Sequence, residues 1–212
     1  MRNYEHIDIY LDNIDKDIYA QPGDLGHYNW AKDTIIRWGV PDEVNTVLDV
    51  GCGEGFCIDF FSALDITYTG ITLRDEDIRN SNNRVRKMDM SFLDYPDDCF
   101  DMVFARHVLE HSPMPLLTLM EWYRVSKTYL MIILPAPEYW TVKGQNHYFV
   151  LPKNNWIVLF ERSGWELVKE EDFTTSNPIF MEYYMRYIKD RDMVKWDKEE
   201  QIVEYRFLLR KK

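Results

Sequence analysis

Apolar runs of strand length alternate along most of the chain with segments whose apolar residues recur at helical spacing, a pattern that predicts an α/β domain with a largely parallel sheet. Strands are predicted near 46–50, 66–71, 84–89, 100–105 and 127–134, and helices near 27–38, 54–64, 74–80, 115–125 and 152–162. Ser163-Gly164 supplies a C-terminal stop to the last of these helices, and Trp165 to Glu170 follows as a sixth strand. Ile202 to Arg210 alternates well enough for a seventh strand that closes the sheet antiparallel. The expectation is a doubly wound seven-stranded sheet, mostly parallel with an antiparallel last strand. Between the last two strands lies 177–201, rich in Tyr, Met and charge, with a helical pattern from Pro178 to Lys189. It reads as an insertion that serves either as a lid or partner surface, or as a helix covering the sheet edge.

Composition narrows the class. With 212 residues and 46% hydrophobic content, the chain suits one domain over 1–212, in which 1–44 forms an N-terminal helical segment. A formal charge of −11 weighs against an extended nucleic-acid surface and predicts no DNA partner. Arg84, Arg86 and Lys87 read as a local basic patch or as a solvated loop before a strand. Cys52, Cys57 and Cys99 make neither a disulfide framework nor a zinc knuckle, which fits a reducing cytosol. The first residues lack a signal-peptide pattern and no run approaches about 18 apolar residues, so a cytoplasmic protein without a membrane partner is expected.

The strongest chemical signal is Val47-Leu48-Asp49-Val50-Gly51-Cys52-Gly53-Glu54-Gly55, a strand running straight into a glycine-rich turn. Glycines let a ligand approach the main chain closely, and the helix that follows offers free N–H groups, so a nucleotide-like cofactor fits here. A dinucleotide fingerprint needs its third glycine at position 56, which is Phe56; the spacing G-x-G-x-G argues against NAD and FAD. A purely structural strand-to-helix corner is the alternative.

With Asp49 ahead of its first glycine, the segment resembles motif I of the class I S-adenosylmethionine-dependent methyltransferases. The resemblance extends over roughly residues 27–170. It implies a Rossmann-like sheet, S-adenosylmethionine as cofactor, and cofactor contacts from Asp49, Gly51, Cys52 and Gly53. After the second strand the family commonly places an acid two positions beyond a glycine, where Gly70-Ile71-Thr72-Leu73 has Thr72 instead. Gly-x-Thr-Leu resembles the version in cyclopropane fatty acid synthases and their relatives, which implies that Thr72 and Leu73 line the cofactor. It further implies a contact from Asp77, whose carboxylate suits two vicinal ribose hydroxyls. Asp75 is the reserve, and both acids also suit a helix start through its dipole.

Lys87-Met88-Asp89-Met90 and Phe100-Asp101-Met102-Val103 resemble the family's third-strand acid and fourth strand. That implies an adenine contact from Asp89, a main-chain N–H and apolar face from Met90, and a structural turn role for Asp101. Arg106 corresponds to a position touching the cofactor's methionine part, whereas Arg124, in the helix before the fifth strand, is structural. Gly26-His27-Tyr28-Asn29-Trp30 either folds over the cofactor or packs as part of an amphipathic helix.

The fourth strand runs into Ala105-Arg106-His107-Val108-Leu109-Glu110-His111, and ligands of doubly wound sheets bind outside the carboxyl ends of strands. Methyl transfer from a sulfonium is an in-line displacement that positioning and water exclusion accelerate. A base is needed only where the acceptor holds a proton, and His107 and His111 are the candidates. His107-x-x-Glu110-His111, with His147 later, also reads as a divalent metal set. It is similar to Glu-x-x-Glu-His in some small-RNA 2′-O-methyltransferases and ubiquinone-pathway O-methyltransferases, with His107 replacing the first Glu. Alternatively, Glu110 and His111 bond to loops and cap a helix. The same residues match the inverted zinc-protease motif, but the preceding strand fits the methyltransferase order.

After the fifth strand, Pro135 to Trp140 and Gln145 to Phe149 form a loop aromatic enough to shape an acceptor pocket, without an Asn-Pro-Pro-Tyr motif for a flipped DNA base. The sequence thus predicts methyl transfer from S-adenosylmethionine to an oxygen or nitrogen of a small molecule or sugar. The alternatives are metal-assisted methylation of an RNA terminus and a non-catalytic S-adenosylmethionine-binding module.

Overall fold

Aliphatic and β-branched residues concentrate in the strands, and their side chains fall alternately on two faces, so each face needs its own cover. In a computed structural model, which describes residues 32, 35–139, 147–183 and 200–212, those strands form one seven-stranded sheet. They are β1 (Thr46–Val50), β2 (Thr67–Thr72), β3 (Arg86–Lys87), β4 (Phe100–Arg106), β5 (Ser126–Pro135), β6 (Trp165–Thr174) and β7 (Ile202–Lys211), in the order β3-β2-β1-β4-β5-β7-β6. The first five pair in parallel, and β7 runs antiparallel to both β5 and β6.

One face buries Val47, Met102, Phe104, Met131 and Ile133 under Ile35 and Phe61. Phe61 belongs to α1 (Ile58–Ser62). The opposite face buries Leu48, Val103, Ile132 and Phe207 beneath Trp122 and Trp156. Those two indoles come from α3 (Pro115–Val125) and α4 (Lys153–Arg162). The remaining helices are α2 (Asp75–Asn80) and α5 (Pro178–Tyr183).

The seventh strand is antiparallel, as expected, and lies between β5 and β6, so both of its edges are paired. Val203, Tyr205, Phe207 and Leu209 are buried, and so are the charged residues Glu204 and Arg206. Pairing with β7 also carries β6 on to Thr174, beyond the predicted end at Glu170. The helix predicted over 54–64 shrinks to Ile58–Ser62, because Gly51, Gly53 and Gly55 take φ of +67°, +54° and +84° and hold the preceding residues in turns. The third strand pairs only at Arg86 and Lys87, a short edge that offers little template to another chain.

Two predicted structural residues have that role. Asp101 accepts bonds from the main-chain N–H groups of Asn45 and Thr46 and from Lys127. Arg124 donates to the carbonyls of Leu93 and Tyr95 and to Glu121 and Asp97. In the predicted 27–38 helix, residues 32 and 35–38 are helical. Gly26 to Trp30, Trp140, Gln145, Asn146 and 184–199 of the 177–201 insertion lie outside the described residues. Among the described residues no helix is long and apolar enough to cross a membrane.

Candidate functional site

The carboxyl ends of β1, β2 and β4 meet at the glycine turn. Gly51 has a positive φ, and a Cβ there would lie 2.3 Å from Cγ2 of Val108, so only glycine lets this turn pack on the segment that follows β4. Cys52 N–H donates to the Ile71 carbonyl and ties the turn to β2. Asp49 is buried and accepts from the Tyr68 hydroxyl at 2.7 Å. Burial raises its carboxyl to about 7, with the Tyr68 bond acting the other way. The Cys52 thiol is pushed up by burial and then by Asp49, so it stays protonated and unreactive.

At the end of β2, Thr72 Oγ1 donates to Asp77 Oδ2 at 2.9 Å and also accepts from Arg74 N–H. Asp77 projects from the first turn of α2 and is nearly buried, which raises its carboxyl, while Thr72 and Arg74 oppose that rise. Leu73 is the intervening residue at the strand end. Beyond β3, Asp89 accepts from Ser91 N–H at 2.7 Å, and burial raises its carboxyl too. The Met90 carbonyl accepts from the Trp122 indole at 2.9 Å, which fixes the chain beside Asp89. The predicted cofactor residues other than Arg106 therefore lie at and just beyond the ends of β1, β2 and β3.

At the end of β4 the structure assembles a buried polar cluster. Glu204, on β7, accepts from the Arg106 guanidinium at 2.8 Å and lies 2.7 Å from His107 Nε2, a contact bent away from the ring N–H axis. Arg206 donates to the second oxygen of Glu204 at 3.3 Å and stacks 3.7 Å from the Phe173 ring. Arg106, His107 and Arg206 outweigh burial and hold the Glu204 carboxyl far below the usual range, so it is ionised. His107 has φ of +51°, an uncommon backbone state for a residue with a side chain. Burial, then the Arg106 charge, lowers its imidazole to about 4, against the pull of Glu204.

Glu110 and His111 form one turn of 3-10 helix after β4, and His147 joins them from the loop beyond β5. Ligand atoms of these three residues lie within 4.8 Å of one another. Both Glu110 carboxylate oxygens are buried without an aligned hydrogen-bond partner among the described residues, and burial raises that carboxyl to about 8. The His111 and His147 rings meet edge to face at 4.9 Å, and burial followed by the His111 charge lowers His147 to about 4. His107 stands apart from this trio: its Nδ1 is 3.8 Å from Glu110, but its Nε2 is turned to Glu204. Of the four residues read from sequence as a ligand set, three converge and the fourth is engaged elsewhere, because β7 brings a carboxylate to it. Arg106 likewise has its guanidinium on Glu204.

Tyr68, Glu204 and Arg206 had no part in the sequence reading. Two opposite charges, Glu204 and Arg206, set among apolar residues over Ile202 to Leu209 are the signal that could have found the last two, since buried charges need partners.

Residues 48–131 match the family model described as a methyltransferase domain. The 27-O-demethylrifamycin SV methyltransferase of Amycolatopsis mediterranei is 34% identical over 79 residues, which cover 32% of this chain and 29% of that protein. The match thus spans about three tenths of the curated relative's length. Among solved structures, a SAM-dependent methyltransferase from Archaeoglobus fulgidus aligns with a TM-score of 0.65 at 19% identity, over 87% of this chain and 94% of that one. The (4+2)-cyclase SpnF aligns with a TM-score of 0.67 at 20% identity, over 98% and 93%. At such identities the structural likeness is one of fold. The matched segment holds the glycine turn, Asp89 and the run from Arg106 to His111, so over residues 48–131 the chain is similar to the methyltransferase domain family.

Proposed function

We propose that this chain transfers the methyl group of S-adenosylmethionine to an oxygen or nitrogen of a small molecule or sugar, with His107 receiving the acceptor's proton. The observation that carries this reading is the contact between Gly51 and Val108, which sets the cofactor turn directly against the segment bearing the titratable cluster. In the reaction an acceptor lone pair attacks the methyl carbon, the carbon–sulfur bond breaks, and the sulfonium becomes a neutral thioether. The acceptor proton leaves to the imidazole of His107, which is neutral near pH 7 and whose protonated form Glu204 favours. Thr72, Leu73, Asp77, Asp89 and Met90 hold the nucleoside part, and the turn of Gly51 to Gly53 holds the methionine part. Holding both reactants in line supplies much of the rate.

Metal-assisted transfer, to an RNA terminus or another hydroxyl, is the second reading, and the Glu110, His111 and His147 donor set favours it. A buried carboxylate without aligned partners beside two imidazoles fits a divalent cation. Such a cation would polarise an acceptor oxygen as a Lewis acid. The −11 charge favours a small acceptor over an RNA.

Calorimetric titration of metal-stripped protein with S-adenosylmethionine and its demethylated product, with and without Zn²⁺, Mn²⁺ or Mg²⁺, tests both readings. Micromolar binding, followed by transfer of labelled methyl in an acceptor screen, is the expected result. A folded protein that binds neither compound overturns the proposal. Loss of metal binding in His147→Ala is expected if the trio holds the cation.

A further inference from the structure

We infer that Tyr68 is a positioning residue for Asp49: its hydroxyl reaches over Gly70 and holds the Asp49 carboxylate at the foot of the glycine turn, to face the cationic methionine part of the cofactor. That Asp49 meets the cofactor rests on the proposed function, whereas the Tyr68 contact rests on geometry alone.

Residues 68 and 70 fall on the same face of β2, and Asp49 is the register partner of Gly70 on β1. Tyr68 itself pairs with Val47, two positions earlier, so its side chain reaches Asp49 by leaning along the strand across position 70. The room for it exists because that position is glycine. A Cβ on Gly70 would lie 2.9 Å from the Tyr68 hydroxyl and 2.7 Å from Cys52 Sγ. Gly70 is not among the glycines with positive φ, so space and not backbone conformation calls for glycine here. Phe61 packs on the Tyr68 ring with centroids 5.9 Å apart. The hydroxyl then donates to Asp49 Oδ2 at 2.7 Å, the length of a charge-assisted bond.

Burial, then the Asp49 charge, keeps the Tyr68 phenol protonated, so it remains a donor. Among the described residues only Tyr68 donates a hydrogen bond to the Asp49 side chain. Burial raises the Asp49 carboxyl to about 7, and the Tyr68 bond opposes that rise by favouring the ionised form. The other titratable or charged groups nearby are Cys52 in the turn, Cys57 ahead of α1 and Arg106 at the end of β4. Burial and then Asp49 keep both thiols neutral, and the Arg106 guanidinium is bonded to Glu204. Asp77 bears on the Cys52 thiol and Lys32 on that of Cys57. The sulfonium and ammonium of S-adenosylmethionine favour an ionised neighbour, and Tyr68 makes that form available near neutral pH.

The test is calorimetric titration with S-adenosylmethionine from pH 6 to pH 8.5, each variant's affinity being divided by that of wild type at the same pH so that ionisation of the ligand cancels. Tyr68→Phe is expected to bind about tenfold more weakly near pH 6, about fivefold at pH 7 and within about twofold at pH 8.5, the pattern of an Asp49 proton held about tenfold more tightly. Gly70→Ala, which pushes the phenol off Asp49, should show the same trend. Asp49→Asn should show the opposite one, falling further behind wild type as pH rises. A Tyr68→Phe deficit that is constant with pH marks packing alone and overturns the inference, as does unchanged affinity at pH 6. Should one of the two variants fail to fold in a urea denaturation check, the other decides. Carbon-13 titration of the Asp49 carboxyl without cofactor, assigned by its loss in Asp49→Asn, separates the two premises. Its midpoint should rise in Tyr68→Phe, and an unchanged midpoint overturns the contact. A raised midpoint in a protein that binds no S-adenosylmethionine would support the contact and overturn the proposed function.

Discussion

The proposed cofactor end and the proposed acceptor end of the site are built from different kinds of sequence. Thr72 and Asp77 are five residues apart and Asp49 and Tyr68 nineteen apart, all on β1, β2 and their short connections. Glu204 meets Arg106 from 98 residues away, and His147 reaches Glu110 from the loop beyond β5. One end is held by turns that their own residues specify, and the other by long-range strand order and loops. Cofactor chemistry can therefore stay constant in such a fold while the acceptor side is rebuilt from loops.

The contact that joins the two ends is the most sensitive to substitution. Gly51→Ala should cost about 2–4 kcal/mol in urea denaturation, from the positive φ and the clash with Val108, and should abolish cofactor binding. Adding Val108→Ala should restore part of the stability; full stability in Gly51→Ala alone would uncouple the ends. Next, His107→Gln should lower turnover about a hundredfold with S-adenosylmethionine affinity changed less than about threefold by calorimetry. An equal loss of affinity would merge the two ends into one functional unit.

Glu110 gives the comparison a pH dependence. Its folded value of about 8 lies above the ordinary 4.5, so the folded state keeps a proton that the unfolded chain releases. That contribution to stability is complete below about pH 4.5 and is lost as pH rises toward 8, with a slope of at most about 1.4 kcal/mol per pH unit. Glu110→Gln should therefore gain about 2 kcal/mol on wild type between pH 5 and 8, measured by denaturation in chelator. A divalent cation should narrow that gap by stabilising the charged wild-type carboxylate. A gap constant with pH would mean that Glu110 is already compensated. The smallest effect should be that of Asp77→Ala, about tenfold weaker S-adenosylmethionine binding with metal affinity unchanged. Unchanged cofactor affinity would remove Asp77 from the ribose contact.

The legible parts of this chain are those whose cause is local. The β1-to-turn junction reads directly because Gly51, Gly53 and Gly55 mark where the backbone takes positive φ. Thr72 and Asp77, and Asp89 and Met90, were singled out by resemblance to family motifs, and the structure joins Thr72 to Asp77 by a hydrogen bond. The shortening of α1 and of β3 was less legible, since one follows from glycine geometry within the turn and the other from having a neighbour on one side only.

By itself, then, the sequence determined the α/β alternation, the glycine turn and the identity of the polar run from Arg106 to His111, because each depends on residues within a few positions of one another. Tertiary structure alone decided that β7 enters between β5 and β6. Alternation shows that a strand exists, but its neighbours follow from how the whole sheet buries its faces. That placement buries Glu204 and Arg206 and draws His107 away from the Glu110, His111 and His147 trio. A buried charge must be paired, and the partner it finds is set by the fold and not by spacing along the chain.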